Sequence, residues 1–185
     1  MSLTADLVAE HQAVLLALRV LEAVEAALDA GGADAADHLD ELLEFLRVFV
    51  DRCHHGKEED VLFPELERRG VRREGGPVGV MLAEHESGRR LVAAMTDGLA
   101  RLRRGESGAA ARIVESAAAY RGLLTAHIAK ENAILFPLAE RVVPGDVAAQ
   151  LVERFEGIER ERIGAGRHEA FHEMLHRLRD HYAVS

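Results

Sequence analysis

The sequence predicts an all-α protein, an up-down-up-down antiparallel four-helix bundle with additional C-terminal helices. Ala, Leu, Glu and Arg dominate the 185 residues and only 4 % are aromatic, a composition that favours helix. Apolar residues recur at steps of three and four over long segments, whereas no stretch alternates as a strand would. The chain also repeats one eleven-residue segment, which indicates two similar helix pairs.

Glycine and proline residues divide the chain into six predicted helices. The four long ones cover about residues 3–29, 35–69, 77–105 and 107–143, and two shorter ones cover about 146–160 and 168–181. Pro77 suits the first turn of the third helix, and Asp34 and Ser107 are predicted to cap the second and fourth. Ile134 and Leu138 are assigned to the apolar stripe of the fourth helix.

The repeated segment reads HHGKEEDVLFP at residues 54–64 and HIAKENAILFP at residues 127–137, seventy-three positions later. Each copy carries a His and a Glu four residues apart, which places both side chains on one face of a helix. Each copy also has an upstream Ala-Glu-His, at residues 9–11 and 83–85. The order is therefore a lone His followed by His-x-x-x-Glu, given twice.

The residues of this pattern lie on predicted core-facing stripes: His11, His54, Glu58, His85, His127 and Glu131. The four histidines stand about twenty residues from the predicted turns at residues 31–32 and 105–107, so at about 1.5 Å per residue a bundle brings them to one level. Burying two carboxylates is costly unless they are paired or bound to metal. Two metal ions would resolve this, with both carboxylates able to bridge. Nitrogen and oxygen ligands with open positions suit iron, with manganese or zinc as alternatives.

At these residues the sequence resembles the hemerythrin family, specifically the hemerythrin-like HHE cation-binding domains, over about residues 5–140. The resemblance implies a four-helix bundle around a non-haem di-iron centre, two iron ions with an oxo or hydroxo bridge. The same six residues match the ligands of the family, with Glu58 and Glu131 as the bridges. We therefore predict a hemerythrin-like domain over residues 1–143, built from repeats at about 5–66 and 78–140. A C-terminal helical extension over residues 144–185 is predicted to pack on it.

Several positions depart from the oxygen-carrying members of the family. Those carriers have His-x-x-x-His on the third helix, where this chain has Met81 in the first position. The last carboxylate of this chain is Glu131, whereas the carriers have an Asp one residue further along the helix. Arg89 follows His85 by four residues. The site therefore lacks one imidazole unless His55, about 100° round the helix from His54, supplies a seventh ligand.

Two classes of function fit such a centre. The first is a di-iron protein that binds or reacts with O2, hydrogen peroxide or NO, including catalase-like turnover of peroxide. The second is a module without turnover: an oxygen or iron sensor, a reversible oxygen carrier or an iron store. A third hypothesis is a helical interaction protein with a vestigial site. The sequence leaves open whether the protein is an enzyme.

The charge and composition of the chain limit the classes of partner that it is expected to bind. The formal net charge of −9 gives no support for binding to nucleic acid or to an anionic membrane. No apolar run approaches membrane length, and the polar N-terminal residues do not form a signal peptide. The single cysteine, Cys53, excludes an intrachain disulfide and fits a reducing compartment. These features predict a cytoplasmic protein with a small-molecule ligand, and they leave its oligomeric state open.

The last predicted helix contains two overlapping HExxH segments, at residues 168–172 and 172–176, the spacing of a zinc-protease signature. A catalytic zinc needs a third protein ligand, and only nine residues follow His176. We expect this helix to pack on the bundle instead, through a buried stripe of Phe171, Leu175, Leu178 and Tyr182. Whether His168, His172 and His176 contribute to the metal site stays open.

The other charged residues inside the repeats are interpreted without a role as metal ligands. Glu59 and Asp60 are predicted to form a polar face. Lys57 and Lys130 are predicted to be solvated or, alternatively, to pair with groups that support the ligands.

Overall fold

A computed structural model describes residues 2–164 and 166–184. Helices account for 84 % of the structure and the described residues contain no strand, which confirms the predicted all-α class. The α-helices are α1 (Ala5–Asp29), α2 (Ala35–Phe45), α3 (Phe63–Arg68), α4 (Pro77–Arg103), α5 (Ala109–Lys130), α6 (Phe136–Val142), α7 (Gly145–Arg162) and α8 (Arg167–His181). Three π-helical segments interrupt them: π1 (Leu46–His55), π2 (Glu58–Leu62) and π3 (Glu131–Leu135).

The α- and π-helical segments join into four long arms. Helices α1 and α4 are the first and third arms, and the continuous helical stretches 35–68 and 109–142 are the second and fourth. The first arm contacts the second and the fourth, and the third arm contacts the same two. The apolar side chains that the arms bury between them form one core cluster that runs through the molecule. No helix of the described residues is both long enough and apolar enough to cross a membrane.

The π-helical segments π2 and π3 each end where the repeat places Phe-Pro. Because Pro64 and Pro137 have no N–H and their rings crowd the carbonyl four residues earlier, regular α-helical pairing fails there. Phe63 and Phe136 instead donate their N–H groups to carbonyls five residues back, those of Glu58 and Glu131. The chain therefore widens into a π-helix directly after each His-x-x-x-Glu.

This widening corrects one prediction about the core. Ile134, assigned above to the buried stripe, is 59 % exposed, whereas the neighbouring Leu135 is 1 % exposed. The extra residue in the π turn rotates the helix, so the buried positions after Glu131 become Leu135, Phe136 and Ala139. Leu138 is only partly buried.

Of the two predicted helix caps, Asp34 takes the predicted N-cap position of α2, whereas Ser107 does not cap the fourth arm. The Asp34 side chain makes no capping hydrogen bond to α2. The fourth arm begins at Ala109 rather than beside Ser107, and its N-cap is Gly108, whose φ of +75° is a left-handed conformation open to glycine.

Helices α7 and α8 lie against the second arm, and α8 also contacts α1. Helix α8 buries Phe171, Leu175 and Leu178, as the stripe predicts, while Tyr182 is partly buried and its hydroxyl bonds His38 Nδ1 at 2.7 Å.

Two arginines of α7 reach main-chain carbonyls of the second arm. Arg154 Nη2 donates to the Asp60 carbonyl at 3.1 Å, the carbonyl that Pro64 leaves without its usual donor. Arg162 Nη1 donates to the Arg52 carbonyl at 3.0 Å, and the Gly56 N–H, its regular α-helical donor, bonds Cys53 instead. Helix α7 therefore donates hydrogen bonds to two main-chain carbonyls of the irregular second arm, on both sides of Glu58.

Candidate metal centre

The residues predicted from the repeat come from all four arms and meet in the core. His11 lies on α1, His85 on α4 and His127 on α5, while His54 and Glu58 come from the second arm and Glu131 from π3. The two carboxylates are fully buried, and none of the four histidines is more than 2 % exposed. The structure therefore brings together all six residues.

The histidines form two pairs. In each pair, the lone His of a repeat faces the His of the His-x-x-x-Glu motif in the same repeat. The Nε2 atoms of His11 and His54 lie 3.1 Å apart, and those of His85 and His127 also lie 3.1 Å apart. In both pairs the facing atoms are ring nitrogens of buried imidazoles.

The carboxylates lie between the pairs. Glu131 presents Oε1 to His127 Nε2 and Oε2 to His11 Nε2, each at 3.2 Å. Glu58 presents Oε2 to His85 Nε2 at 3.4 Å and Oε1 to His54 Nε2 at 3.9 Å. Each carboxylate thus faces one histidine from each pair, the arrangement in which a carboxylate can be shared by two cations.

The other ring nitrogen of each histidine is held by an oxygen acceptor. His54 Nδ1 donates to Glu10 Oε2 at 2.8 Å, and His127 Nδ1 donates to Glu84 Oε2 at 2.9 Å. His11 Nδ1 donates to Asn132 Oδ1 at 2.9 Å, and His85 Nδ1 donates to Glu59 Oε1 at 2.7 Å. The acceptors also follow the internal repeat, because each Glu precedes a lone His and Glu59 and Asn132 each follow a buried Glu.

These partners decide the chemistry of the facing nitrogens. A neutral imidazole that donates from Nδ1 has a bare lone pair on Nε2. Two such lone pairs at 3.1 Å cannot bond each other. All four oxygens of Glu58 and Glu131 are buried without a hydrogen-bond partner in the described part of the chain. Cations between the pairs would satisfy every one of these atoms, so the residues present fit a metal centre.

The electrostatics of the two carboxyl groups also favour a cation between the histidine pairs. Burial, together with the negative charge of Glu131, raises the pKa of Glu58 well above its usual value. Burial also opposes ionisation of Glu131, and the pKa of that carboxyl is lowered only where positive charge faces it, from protonated His11 and His127 or from a bound cation. Two carboxylates this close are not both charged in a dry core without a cation.

Groups of three and four residues have ligand atoms close enough to hold one ion. One group is His11, His54 and Glu131, and a second is Glu58, His85, His127 and Glu131. A third is His55, His85 and His127. Glu131 belongs to both of the first two groups.

His55 is buried beside the second group. It is 4 % exposed, and its ring stacks on that of His85 with centroids 3.8 Å apart. Neither ring nitrogen has a hydrogen-bond partner among the described residues, and Nδ1 lies 3.5 Å from Asp51 Oδ1. His54 and His55 both point inward because they end π1, where a turn holds more residues than in an α-helix and neighbours diverge by less than 100°.

The structure decides between the two predictions for Lys57 and corrects the prediction for Glu59. Lys57 is not solvated but pairs with the carboxylate that supports His54, since it is 2 % exposed and bonds Glu10 at 2.5 Å and Glu159 at 3.0 Å. Although burial opposes ionisation, the hydrogen bond and charge of His54 and the charge of Lys57 lower the pKa of Glu10 to about 2. Glu59, predicted to be a polar-face residue, holds His85 and also bonds Arg89 Nη2 at 2.6 Å.

Sequence reasoning therefore missed the residues that orient the histidines. The repeated Ala-Glu-His was the available signal for Glu10 and Glu84, because it places a carboxylate next to each lone histidine. Lys130, the repeat partner of Lys57, bonds Glu84 but remains 36 % exposed.

The C-terminal histidines lie outside the three groups of candidate ligands. His168 and His172 pack near the ring of Phe49, at centroid distances of 5.4 and 6.2 Å. Met81 is buried on α4, one turn before His85.

The sequence profile of the hemerythrin HHE cation binding domain matches residues 2–139. The chain belongs to this family. The HHE domain binds metal cations, and the buried His and Glu clusters are the corresponding feature of this member.

Three relatives are uncharacterized proteins, one of Mycobacterium bovis and two of Mycobacterium tuberculosis strains. Each is 26 % identical over 163 residues, which cover 86 % of this chain and 62 % of the relative. The chain thus spans less than two thirds of the length of these relatives. No solved structure gives a significant match.

Proposed function

We propose that this HHE protein binds two iron ions and reacts with a small oxidant, with hydrogen peroxide favoured over reversible oxygen carriage. The observation that carries the proposal is the pair of buried carboxylates, each facing a histidine from both pairs and otherwise unpartnered. Four imidazoles and two carboxylates form a mixed nitrogen and oxygen ligand set, which suits iron more than magnesium or calcium. Manganese and zinc are the alternative metals.

In this proposal the four arms run alternately up and down and form a domain over residues 1–143, with residues 144–185 as an extension packed on it. The contacts of the first and third arms with both others support this order. The short connections between successive arms also support it, since short loops join antiparallel neighbours.

Each side chain has a role in holding the metal. His11 and His54 bind one ion, His85 and His127 bind the other, and Glu58 and Glu131 bridge them. Glu10, Glu84, Glu59 and Asn132 fix the tautomer of each histidine and make its free nitrogen a better ligand. Iron, when bound, supplies redox and Lewis-acid chemistry towards O2, hydrogen peroxide or NO.

The preference for peroxide rests on one imidazole that the site lacks relative to the oxygen carriers. Met81 stands where the carriers have a further histidine, so the half at His85 has one protein ligand fewer than in the carriers and more room for an exogenous molecule. His55, stacked on His85, is the residue that could fill that position as a seventh ligand. If His55 does bind, the site resembles a carrier more closely, and the second candidate function, reversible binding or sensing without turnover, is favoured.

Metal analysis and an optical spectrum of aerobically purified protein test the metal. We expect about two irons per chain and near-ultraviolet absorption from a bridged ferric pair. Stoichiometric zinc after iron-replete expression, or protein free of metal, would contradict the proposal.

Peroxide assays separate turnover from carriage. Oxygen release from added hydrogen peroxide should exceed that of free iron, should disappear in His127→Ala and should persist in His55→Ala. Stopped-flow mixing of the reduced protein with O2 tests for reversible carriage. A stable spectrum that reverses when O2 is removed would favour carriage, and so would oxygen release from peroxide no greater than that of free iron.

A further inference from the structure

An elongated cavity of about 500 Å³ lies between the second arm and α4, with His55 at one end. Its walls are mainly apolar, and the lining residues from the second arm span π1 from Leu46 to His55. Tyr120 of α5 also lines it. A molecule the size of O2 or hydrogen peroxide would fill only a small part of this space, which is in the range of pockets that hold organic ligands.

The shape of the cavity follows from small side chains on α4. Its lining residues on that helix extend from Gly88 to Ala100, twelve positions or about 18 Å along the axis. Gly88, Ala93 and Ala100 project little or no side chain, which leaves a groove instead of a closed helix contact. The groove thus follows α4 for about 18 Å, a length that suits an extended aliphatic chain.

The polar groups at the His55 end indicate the chemistry of the head group. His55 has two buried ring nitrogens without partners, one of them 3.5 Å from Asp51. Arg89 lies there too, but it is already bonded to Asp51 at 2.7 Å and to Glu59 at 2.6 Å. The charged lining residues, Arg47, Asp51, Arg89 and Asp97, balance one another, and the charge of Arg89 is already paired. This disfavours an anionic head and favours a neutral group that both donates and accepts hydrogen bonds.

We propose that this cavity binds an extended aliphatic molecule with a neutral hydroxyl-type head group, its head at His55 and its chain along α4. The head group would lie next to the candidate centre, because His55 stacks directly on His85. A connection between this ligand and the metal rests on the proposed function. The ligand would thereby reach the half of the site where Met81 stands in place of a further histidine.

Tyrosine fluorescence gives a direct readout of binding. The chain contains no Trp and two Tyr, so Tyr182→Phe leaves Tyr120, which lines the cavity, as the single reporter. Titration of the full chain carrying this substitution with 1-decanol should give a saturable change in emission. Decanoate, with the same chain length and a negative head, should bind at least tenfold more weakly.

Two adjacent alanines supply a matched pair of variants. Ala93 and Ala94 are both exposed on α4, but only Ala93 lines the cavity. Ala93→Leu should weaken 1-decanol binding at least tenfold, whereas Ala94→Leu should leave it unchanged, with equal helicity of both checked by circular dichroism. No saturable emission change, an equal effect of the two variants, or tighter binding of decanoate would overturn the proposed ligand class or site.

Iron-loaded protein tests the connection to the metal separately. If the head group reaches the centre, 1-decanol should shift the near-ultraviolet absorption with the same midpoint as the emission change. Emission change without an absorption shift would overturn the contact with the metal and leave the cavity as a binding site. Absence of iron would contradict the proposed function, while the emission titration would still decide the cavity.

Discussion

Gly56 lies in the middle of the first repeat, within the helical second arm. Its replacement by alanine is predicted to lower the free energy of unfolding, although alanine is normally favoured over glycine in a helix. Its φ of −63° and ψ of −38° are open to any residue, so the backbone gives no reason for glycine. A Cβ atom built there, however, falls 2.1 Å from Nη1 of Arg162. The guanidinium must move, and it then loses its bonds to the Arg52 carbonyl at 3.0 Å and to Asp60 at 2.5 Å.

The gain in helix propensity from alanine can be compared with the loss of the hydrogen bonds of Arg162. Alanine in place of glycine within a helix gains about 0.5–1 kcal/mol. Hydrogen bonds of a charged group contribute about 1.5–3 kcal/mol, and the 35 % exposure of Arg162 reduces this to about 1–2 kcal/mol. We therefore expect Gly56→Ala to destabilise the protein by about 0.5–1 kcal/mol, a fall of about 1–4 °C in Tm for a chain of this size.

Gly122→Ala is the matched control, because a Cβ built at that helical glycine of α5 meets nothing within 4 Å. It should raise the free energy of unfolding by about 0.5–1 kcal/mol. Both variants are to be compared by urea and thermal unfolding, followed by far-ultraviolet circular dichroism at the same metal content. In an Arg162→Ala background, Gly56→Ala should change sign and stabilise. Equal stabilisation by Gly56→Ala and Gly122→Ala in the parent protein would refute the reasoning.

Further variants test the candidate centre and its supports. Glu58→Ala and Glu131→Ala should each lose most of the iron while the protein stays helical, and full iron in either would contradict the bridging role. His172→Ala should keep its iron, since that ring packs near Phe49, and a loss would show that α8 contributes to the site. Lys57→Met should lower the free energy of unfolding by about 3–5 kcal/mol, because it leaves the buried Glu10 carboxylate without its cation. Lys130→Met, at a lysine that is 36 % exposed, should cost about 1 kcal/mol or less, so equal losses at the two lysines would contradict the burial argument. Removal of iron by a chelator should lower Tm in the parent protein but not in Glu131→Ala.

The internal repeat identified the residues that meet in the core. A His and a Glu four apart must share a helix face, and equal distances from the turns must bring the histidines to one level, so local geometry was sufficient. The all-α class and the family were predicted from the same pattern and are confirmed, and the helix ends agree within a few residues. The ligand roles themselves stay a prediction until metal is measured.

Where prediction failed, the cause was a departure from regular α-helical geometry. A stripe counted at 3.6 residues per turn placed Ile134 in the core, but the π turn before Pro137 rotates the helix by one residue and buries Leu135 instead. The missing N–H of Pro137 is visible in the sequence. Whether the helix kinks, ends or widens there depends on the neighbouring arms that pack against it.

The sequence by itself determined which residues are helical and which of them share a buried face, because propensity and periodicity act over a few neighbouring residues. Only the tertiary structure decided what each side chain meets across the core. Glu10 holds His54 from another arm, Lys57 is buried because Glu10 and Glu159 surround its charge, and small residues on α4 leave a cavity that ends at His55. The contacts of Glu10 and Lys57 join residues from 44 to 102 positions apart in the chain, from Glu10 to His54 and from Lys57 to Glu159, and nothing in the local sequence specifies such a distance.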